Sequence, residues 1–502
     1  MGPDEPRYIA IGRSMAASGD FITPRLWNSP WFEKPPLLYW MTAAGSLTGL
    51  PPEVAGRLPV ALLSLLFLWA AFQLLRREFR VQPALLAVGL LATSLGWMAY
   101  SNLALTDLPL AVFFSLATFL ALALLRAEPE LKHLQWRLAA IGAALGCATL
   151  AKGLVPLALA VPMMWFLRRS WRSWWAVAAA FLVVAGPWYG AMYTRNGYAF
   201  VSEFFIRHHF ERLYSASLQH VQPWYYYFPV AALGLLPWTP LFFLGAGVRP
   251  LREDRRRLML AATCGFGFLV FSVSLNKLPG YLLPLFPSAF ALLGSRFEGI
   301  LSLDIRKSWL FPCAVFIAGF PLAVSLIPVF LRAGGLSSAA FHAPDRIEDF
   351  YIALPIAVVL LARRSWTVPL LMLCVVAAGV YAKATVYPIL DAEVSARGLW
   401  RDLRAVSGEL CDAGMSRDWI LGISFYRNAY LKPCDAGGTQ IRLRAVRDER
   451  PSIVTGQKKP VNPKRRGLTG TQTPPLLRRL SPTSPTQVPA TPYPAIQQPR
   501  DT

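Results

Sequence analysis

The chain has 502 residues, of which 55% are hydrophobic and only 16% are charged, and its mean hydropathy is +0.40. Soluble domains carry about 25% charged residues, so this composition excludes a water-soluble globule. The net charge of +22 would suit a nucleic-acid-binding protein, but the basic residues stand in short clusters between long apolar runs, as in membrane proteins. The six cysteines show neither CxxC nor Cys/His zinc spacing. We therefore predict an all-α polytopic membrane protein that does not bind nucleic acid.

Twelve apolar stretches are predicted to cross the bilayer, because a helix needs about 20 apolar residues to span a core of roughly 30 Å. They lie near residues 53–75, 83–101, 107–125, 136–152, 154–167, 174–194, 224–247, 258–275, 281–299, 308–331, 350–362 and 366–387. Alternate connections differ sharply in charge, since one set holds nineteen basic residues and the other holds eight. The positive-inside rule places the richer set in the cytoplasm.

Four regions follow from this topology. Residues 1–52 form the first exterior loop, residues 53–388 form the transmembrane bundle, and residues 389–447 form a small exterior α/β domain. Residues 448–502 form a basic, proline-rich tail that cannot bury a core. Such a tail could bind anionic lipid headgroups, or its composition could come from out-of-frame translation of a GC-rich gene. We assign it no function. An exterior N-terminus with no apolar segment before it leads us to expect one more helix upstream. The alternative is a short N-terminus that crosses the membrane unaided.

Local patterns give further expectations outside the bundle. Residues 6–17 are predicted to form a short helix, with Asp4 and Glu5 at its positive N-terminal end. A second interfacial helix is predicted to begin at Pro35 and Pro36. Near the C-terminus, residues 394–415 are predicted to be an amphipathic helix and residues 419–426 a strand. Cys411 and Cys434 in this region are predicted to form either a disulfide or two free thiols.

Several motifs resemble one family of membrane enzymes. They are DEPRY, SGDFITPRL, FEKPPLLYW and AGRLPVAL near the N-terminus, then LTDLPLA at 105–111, LAKGLVP at 150–156, HHFERL at 208–213, QPWYYYFP at 222–229 and NKLPGYLLPLFP at 276–287. Together they resemble the bacterial lipid-linked-sugar glycosyltransferases of the protein O-mannosyltransferase superfamily, in particular the 4-amino-4-deoxy-L-arabinose lipid A transferases. The resemblance covers about residues 1–390. It implies a GT-C fold whose active site faces the periplasm in the bacterial inner membrane.

The resemblance also implies the site residues. The catalytic acidic residues fall on Asp4 and Glu5. The positions that would bind the donor phosphate are Arg7, Lys34, Arg207, Arg212 and Lys277. Other parts of the substrates would be bound by Tyr8, Glu33, Asp107, Lys152 and Tyr281. Trp31 stands where relatives often carry tyrosine. Taken singly, such charges are also typical of helix caps and of side chains that reach to the interface.

The sequence requires no cofactor, although a divalent metal is compatible with it. His208, His209 and His220 share one exterior loop, and with Glu33 they could bind such an ion, but no HExxH spacing supports this reading over hydrogen-bonded loop histidines.

The predicted function is transfer of a sugar from a polyprenyl-phosphate donor to lipid A or another cell-envelope glycolipid. One alternative is transfer to Ser/Thr of exported proteins, as in the O-mannosyltransferase branch. A second is transport of the lipid-linked sugar. A transporter is expected to show internal repeats and ionisable residues near mid-membrane, whereas the charges here gather at one face. The predicted partners are thus the polyprenyl-phosphate sugar, the acceptor and membrane lipids, whereas the identity of the sugar and the oligomeric state are not encoded in any motif.

Overall fold

The computed structural model describes residues 4–126, 131–211, 221–244, 254–297, 305–333, 346–406, 408–435, 441–445 and 450–454. Of the predicted tail, only residues 450–454 are described, and residues 455–502 lie outside the described residues, so the prediction for the tail is not tested. The α-helices in chain order are α1 (Glu5–Ser18), α2 (Leu37–Ser46), α3 (Pro52–Phe79), α4 (Val81–Ala92), α5 (Leu95–Tyr100), α6 (Asp107–Arg126), α7 (Leu131–Lys152), α8 (Val155–Leu159), α9 (Val161–Phe166), α10 (Trp175–Val201), α11 (Tyr227–Gly234), α12 (Thr239–Leu244), α13 (Arg255–Val273), α14 (Phe286–Ser295), α15 (Lys307–Ala333), α16 (Arg346–Leu361), α17 (Arg364–Thr385), α18 (Tyr387–Val394), α19 (Ala396–Leu403) and α20 (Arg417–Arg427).

Shorter elements complete the chain. Among the described residues, the strands β1 (Arg25–Leu26) and β2 (Ser29–Pro30) form an antiparallel ribbon. A separate three-stranded sheet has the order β3 (Leu410–Asp412), β4 (Ile441–Arg444), β5 (Ser452–Val454). In this sheet β3 and β4 are parallel, whereas β4 and β5 are antiparallel. Among the described residues, 3-10 segments occur at Arg168–Ser173, Trp224–Tyr226 and Pro279–Leu285, and a π-helix occurs at Ser202–Glu211.

The protein is a helical multi-pass membrane protein, but the predicted count of twelve spans is not confirmed. Among the described residues, six helices are long and apolar enough to cross a bilayer, namely Pro52–Phe79, Asp107–Leu125, His133–Lys152, Arg168–Arg207, Arg255–Val273 and Arg364–Ala392. Several other predicted spans are broken into shorter helices. The stretch 154–167 divides into α8 and α9, each with a proline in its first turn, because proline cannot donate to the helix ladder.

Glycines allow two of the long helices to pack closely. Gly142 and Gly146 form a GxxxG pattern on α7. A Cβ on Gly142 would lie 2.2 Å from the carbonyl oxygen of Val177 on α10, and one on Gly146 would lie 3.0 Å from Cβ of Val184. Small residues at this spacing let membrane helices approach backbone to backbone. Close van der Waals packing therefore holds α7 against α10, together with a long hydrogen bond from the Tyr189 hydroxyl to the carbonyl of Thr149 at 3.5 Å.

The C-terminal region corrects two local predictions. The predicted strand 419–426 is part of helix α20, which carries Asp418 in its first turn and Arg427 in its last and ends at the left-handed residue Asn428. These end signals complement the helix dipole and cap, and they outweigh the apolar alternation that favoured a strand. The predicted helix 394–415 is helical only over α19, and its end forms β3 because that strand pairs with distant β4.

This C-terminal region packs against the N-terminal segment. Its apolar core includes Leu403, Trp419 and Leu443. Arg13 on α1 donates to the carbonyl of Phe425 at 3.2 Å, and Tyr426 donates to a carboxylate at the start of α3. The residues after the bundle therefore support α1 from the outside.

Cys411 and Cys434 form a disulfide, which resolves the two predicted alternatives. The bond ties β3 to the segment after α20 and closes a loop with a sequence separation of 23. Replacing both cysteines by serine is expected to destabilise the C-terminal region by about 3 kcal/mol, because the cross-link removes chain entropy from the unfolded state. Thermal unfolding of the purified variant checks this value. The matched control is Cys147→Ser, which removes a thiol that forms no disulfide, and equal unfolding temperatures for the two variants would contradict the prediction.

Candidate active site

Helix α1 carries a buried arginine at the centre of a cluster of charges. Arg7 is 5% exposed. Its Nη2 lies 2.8 Å from Oδ1 of Asp4, and its Nη1 lies 2.9 Å from Oε2 of Glu33. Nζ of Lys34 lies 3.8 Å from Oε1 of the same glutamate. We call Asp4, Arg7, Glu33 and Lys34 the N-terminal cluster, and the structure thus brings four predicted site residues together.

The segment between α1 and α2 returns Glu33 to α1. Helix α1 ends at Gly19, which adopts φ 72°, a conformation that only glycine reaches at low cost. Asp20 then accepts backbone hydrogen bonds from Ile22 and Thr23 at 3.1 and 3.2 Å. The ribbon β1–β2 closes with Trp31 N donating to the carbonyl of Pro24 at 2.8 Å. The chain is thereby folded back so that FEKPP lies over the buried arginine.

Electrostatics keep this arginine charged and the neighbouring phenols neutral. Burial is the largest influence on the pKa of Arg7 and lowers it, but the interactions with Tyr8, Glu33 and Asp4 outweigh burial and leave this pKa raised. Burial raises the pKa of Tyr8, and the neighbouring guanidinium only partly opposes this effect. Burial likewise raises the pKa of Tyr39. The two phenols are therefore hydrogen-bond donors at neutral pH.

Three buried hydrogen-bond donors, one on Arg7 itself and two on its neighbours, have no hydrogen-bond partner within the described ranges. They are Nε of Arg7, Nε1 of Trp31 and the hydroxyl of Tyr39. The guanidinium lies 5.7 Å from the Trp31 ring and 5.0 Å from the ring of Tyr8, whose centroid is 6.0 Å from that of Tyr39. A buried donor left unpaired costs about 1–3 kcal/mol, so three of them side by side call for an explanation, and a bound ligand is one. The Arg7 and Trp31 nitrogens can only donate hydrogen bonds, and the Tyr39 hydroxyl can donate one. An anion is therefore the ligand that would satisfy all three.

Glu5, predicted to be catalytic, is held by hydrogen bonds to other parts of the protein. Its side chain is fully buried, and its oxygens accept hydrogen bonds from Nε and Nη2 of Arg57 on α3 at 2.9 and 2.6 Å. The backbone N–H of Ala104 donates to the same carboxylate at 2.9 Å. These contacts give Glu5 protein partners, and its catalytic role stays a prediction. They pin α1 to α3 and to the turn that precedes α6.

A second cluster lies on the other side of that turn. Asp107 begins α6 and Lys152 ends α7, and Oδ1 of the aspartate lies 2.5 Å from Nζ of the lysine. The ammonium also lies 4.3 Å from the centre of the Tyr281 ring, within the range of a cation–π contact. We call Asp107, Lys152 and Tyr281 the α6–α7 cluster. The hydrogen bond from the Ala104 N–H to Glu5 joins the chain next to Asp4 to the turn three residues before Asp107.

Gly280 is required for the α6–α7 cluster to close. A Cβ at this position would lie 2.6 Å from the hydroxyl of Tyr100 and 2.7 Å from Oδ1 of Asp107. Gly280→Ala is expected to displace the aspartate from Lys152 and to lower turnover about 100-fold, as misplacement by about 1 Å can. The expected loss of stability is smaller, about 1–3 kcal/mol. Turnover and unfolding temperature measured on the purified variant check both values.

The matched control for this prediction is Gly265→Ala. A Cβ on Gly265 meets no atom within 4 Å, so this variant adds the same methyl group in open space. It is expected to keep normal turnover. Equal turnover of the two alanine variants would contradict the role assigned to Gly280.

Two predicted phosphate ligands have other partners. Lys277 is 4% exposed, and its ammonium donates to the carbonyls of Gln222 and Ser274 at 2.9 and 2.5 Å. Burial lowers its pKa. Arg207 is largely exposed and forms an ion pair with Glu203 one turn earlier, at 2.9 Å. The Lys277 ammonium thus joins its own loop to a carbonyl 55 residues away, and Arg207 pairs within its own helix. Binding of the donor phosphate by either cation stays a prediction.

The histidine loop is only partly described. Arg212 and His220 lie outside the described residues, and for His208 and His209 only the backbone is described, in the π-helix Ser202–Glu211. Within the described ranges, no three His, Cys, Asp or Glu side chains come together in a way that could hold a metal ion. The metal prediction for this loop is therefore not tested.

Comparisons with known proteins connect this geometry to a group of enzymes. The profile of the dolichyl-phosphate-mannose-protein mannosyltransferase family matches residues 1–244. The undecaprenyl phosphate-alpha-4-amino-4-deoxy-L-arabinose arabinosyl transferases of Pseudomonas aeruginosa and Edwardsiella ictaluri are 32% and 31% identical over 299 and 309 residues, which are 56% and 58% of this chain and 53% and 54% of theirs. The chain thus spans about half the length of the curated relatives it matches.

The solved structures extend the similarity beyond the matched sequence. The crystal structure of ArnT from Cupriavidus metallidurans bound to undecaprenyl phosphate superposes with a TM-score of 0.69 at 26% identity, over 87% of this chain and 82% of that one. The comparison thus includes the bundle and much of the region after it. The chain has the GT-C fold of these membrane glycosyltransferases, and the resemblance that its motifs predicted is confirmed.

Proposed function

We propose that the protein transfers a sugar from a polyprenyl-phosphate donor to lipid A or another cell-envelope glycolipid, at the periplasmic face of a bacterial inner membrane. The observation that supports this most strongly is the group of buried donors around Arg7, which suits a phosphate. The undecaprenyl phosphate named in the related structure agrees with this chemistry. The small α/β region after the bundle is proposed to contribute to acceptor binding.

The donor phosphate is proposed to be the leaving group. As the acceptor oxygen forms its bond to the anomeric carbon, the bond from that carbon to the phosphate oxygen breaks and its electron pair stays on the phosphate. This group needs positive charge rather than a proton, because polyprenyl phosphate is a stable anion. Arg7 and Lys34 supply such charge through charge-assisted hydrogen bonds. A single displacement of this kind inverts the anomeric centre.

Asp4 is proposed to orient the acceptor and to take its proton. Its side chain is 46% exposed, whereas that of Glu33 is 12% exposed and that of Glu5 is fully buried. It is therefore the acidic group on α1 that an acceptor can reach. An acceptor hydroxyl requires a base. A phosphate acceptor is already ionised, so against such a group Asp4 acts mainly in positioning.

The α6–α7 cluster is proposed to bind the donor near the transferred sugar. Lys152 holds its charge between Asp107 and the face of Tyr281. Side chains fixed in this way lose little entropy when a ligand binds. Asp107 accepts hydrogen bonds, which suits hydroxyl or ammonium groups of a sugar.

A second candidate is transfer to Ser/Thr hydroxyls of exported proteins. The specific observation in its favour is the match of residues 1–244 to the mannosyltransferase family. Both functions use the same donor chemistry and the same base. They differ in the acceptor, and one experiment separates them.

The proposal is tested by mass spectrometry of lipid A and of exported proteins from cells that lack the gene. Wild-type protein is expected to restore a sugar mass increment on lipid A, and Asp4→Asn is expected to restore less than about 1% of it, since a positioned base contributes about 10²–10⁴-fold. The matched control is Asp402→Asn, which removes an exposed exterior carboxylate and is expected to restore the increment fully. An increment on exported proteins alone would favour the second candidate. Full restoration by Asp4→Asn would refute the assignment of the base.

A further inference from the structure

An apolar cavity of about 350 Å³ lies between α3, α4 and α17, away from both charged clusters. This volume is in the range of ligand pockets. It is lined by apolar side chains and one glycine, including Phe72, Leu85, Gly89, Val368, Pro369 and Met372. Leu85 is 48% exposed, so the cavity opens at the surface of the bundle. That surface faces lipid in a membrane.

Basic residues stand just beyond the cavity on all three helices. Arg76 follows Phe72 by one helical turn, and its guanidinium lies 5.6 Å from the centre of that ring. Arg80 precedes Leu85 by five residues, and Arg363 precedes Val368 by five. At 1.5 Å per residue these arginines lie about 6–8 Å from the cavity along the helix axes. The three arginines are exposed, and none of them has a carboxylate partner within the described ranges.

Two helix N-termini point to the same rim. Helix α4 begins after Arg80 and α17 begins after Arg363, and neither has a hydrogen bond from a capping side chain. The first turn of a helix presents backbone N–H groups and partial positive charge, which favour phosphate. The rim therefore combines three cationic side chains with two positive helix ends.

The rim is a membrane thickness away from the site of transfer. Arg57, which holds α1, and Arg76 lie on the same helix and are 19 residues apart. This separation is about 28 Å along the axis, close to the thickness of the hydrocarbon core. A donor whose phosphate lies beside Arg7 cannot also place that phosphate at the rim. The charge at the rim thus calls for a different anionic lipid.

We propose that the cavity binds one acyl chain of an anionic phospholipid whose phosphate lies against Arg76, Arg80 and Arg363. In the orientation given by the positive-inside rule, this lipid belongs to the cytoplasmic leaflet. An apolar lining with a cationic rim at headgroup depth matches the two parts of such a molecule. A neutral phospholipid would fill the cavity but leave the rim without a counter-charge.

The test uses phosphatidylglycerol with a diazirine on its acyl chain. The purified full chain is irradiated with this probe, and cross-links are mapped by mass spectrometry. Cross-links are expected within residues 85–89 and 368–372. Unlabelled phosphatidylglycerol is expected to compete, whereas phosphatidylcholine with the same acyl chains is not.

Two variants separate the rim from the cavity. Arg76→Gln with Arg363→Gln is expected to weaken binding of the probe about fivefold for each arginine removed. Gly89→Leu is expected to abolish the cross-links, because a Cβ at Gly89 already lies 2.8 Å from Sδ of Met372 and added atoms fill the space. The matched controls are Arg168→Gln with Arg169→Gln, which removes two exposed arginines elsewhere, and Gly186→Leu, where a Cβ meets no atom within 4 Å.

Three results would overturn the proposal. The first is equal competition by phosphatidylcholine, and the second is equal loss of cross-links in the variants and their controls. The third is displacement of the probe by undecaprenyl phosphate at lower concentration than by phosphatidylglycerol, which would assign the cavity to the donor. The readout is lipid binding, so it is independent of whether the protein transfers a sugar.

Discussion

Arg7→Ala is expected to reduce sugar transfer at least about 1,000-fold and to destabilise the protein by about 3 kcal/mol. The guanidinium is buried between Asp4 and Glu33, and removal of one partner from a buried ion pair leaves an uncompensated charge. It also supplies the charge proposed to stabilise the leaving phosphate, a role worth several kcal/mol in comparable sites. Donor-dependent transfer and unfolding temperature, measured on the same purified sample, check the two effects.

Two further variants separate the chemical effect from loss of structure. Arg7→Lys keeps the positive charge but loses the fork that bridges two carboxylates. It is expected to fold at nearly the wild-type temperature and still to lose most of its activity. Arg13→Ala is the matched control, because Arg13 lies on the same helix but contacts Phe425. Wild-type activity in folded Arg7→Lys and Arg7→Ala would contradict the role of this residue at the donor phosphate.

Arg57→Met is expected to cost about 3–5 kcal/mol of stability and most of the activity. Arg57 is the ion-pair partner of Glu5, whose carboxylate is fully buried. Without Arg57 the Glu5 carboxylate is buried without its ion-pair partner, and breaking a buried pair in this way costs about 3–5 kcal/mol of stability. Because the same pair fixes α1 to α3, we expect Asp4 and Arg7 to shift and transfer to fall with stability. The unfolding temperature and the transfer rate are measured together.

The double variant Glu5→Gln with Arg57→Met decides what Glu5 does. Glutamine keeps an oxygen that can accept from the N–H of Ala104 and carries no charge, so much of the stability is expected to return. If Glu5 only positions α1, activity returns with stability. A stable double variant without activity would show instead that the carboxylate itself takes part in the reaction.

The motifs near the N-terminus predicted most of the N-terminal cluster. The helix over 6–17 corresponds to α1 (Glu5–Ser18), because its proline and acidic residues mark a helix start that depends on neighbouring residues alone. The resemblance named all four of its members, Asp4, Arg7, Glu33 and Lys34. Their contact could be expected because the intervening turn signals at Gly19 and Asp20 are also local. Whether each residue acts in the reaction stays a prediction.

Contacts between distant segments could not be predicted in the same way. Arg57, which pairs with Glu5, is 52 residues away, and the Ala104 N–H that donates to the same carboxylate is 99 residues away, so nothing local predicted these contacts. Lys152 was predicted to bind substrate, but its pairing with Asp107 depends on how α6 and α7 pack and left no local signal. The contacts of Lys277 could not be predicted for a related reason, since its two carbonyl partners come together only in the folded protein.

The region after the bundle shows where periodicity is ambiguous. Residues 419–426 alternate well enough to predict a strand, yet they form α20. A short apolar run can match both the helical period of 3.6 residues and the strand period of 2. The start and stop signals at its two ends then indicate whether it is a helix or a strand. Asn428 at the end of this run was the local signal for a helix. The pairing of β3 with β4 depends on a partner about 30 residues away and left no trace in the local pattern.

The central claim is that this protein breaks the bond between a sugar and a polyprenyl phosphate. The most direct measurement incubates the purified full chain with undecaprenyl phosphate-4-amino-4-deoxy-L-arabinose and lipid A, and follows both products by mass spectrometry. We expect sugar-modified lipid A and free undecaprenyl phosphate to appear in equal amounts, with both lost in folded Lys34→Ala and Asp4→Asn. A folded wild-type chain that consumes neither this donor nor any other polyprenyl-phosphate sugar, with lipid A or an exported protein as acceptor, would contradict the account.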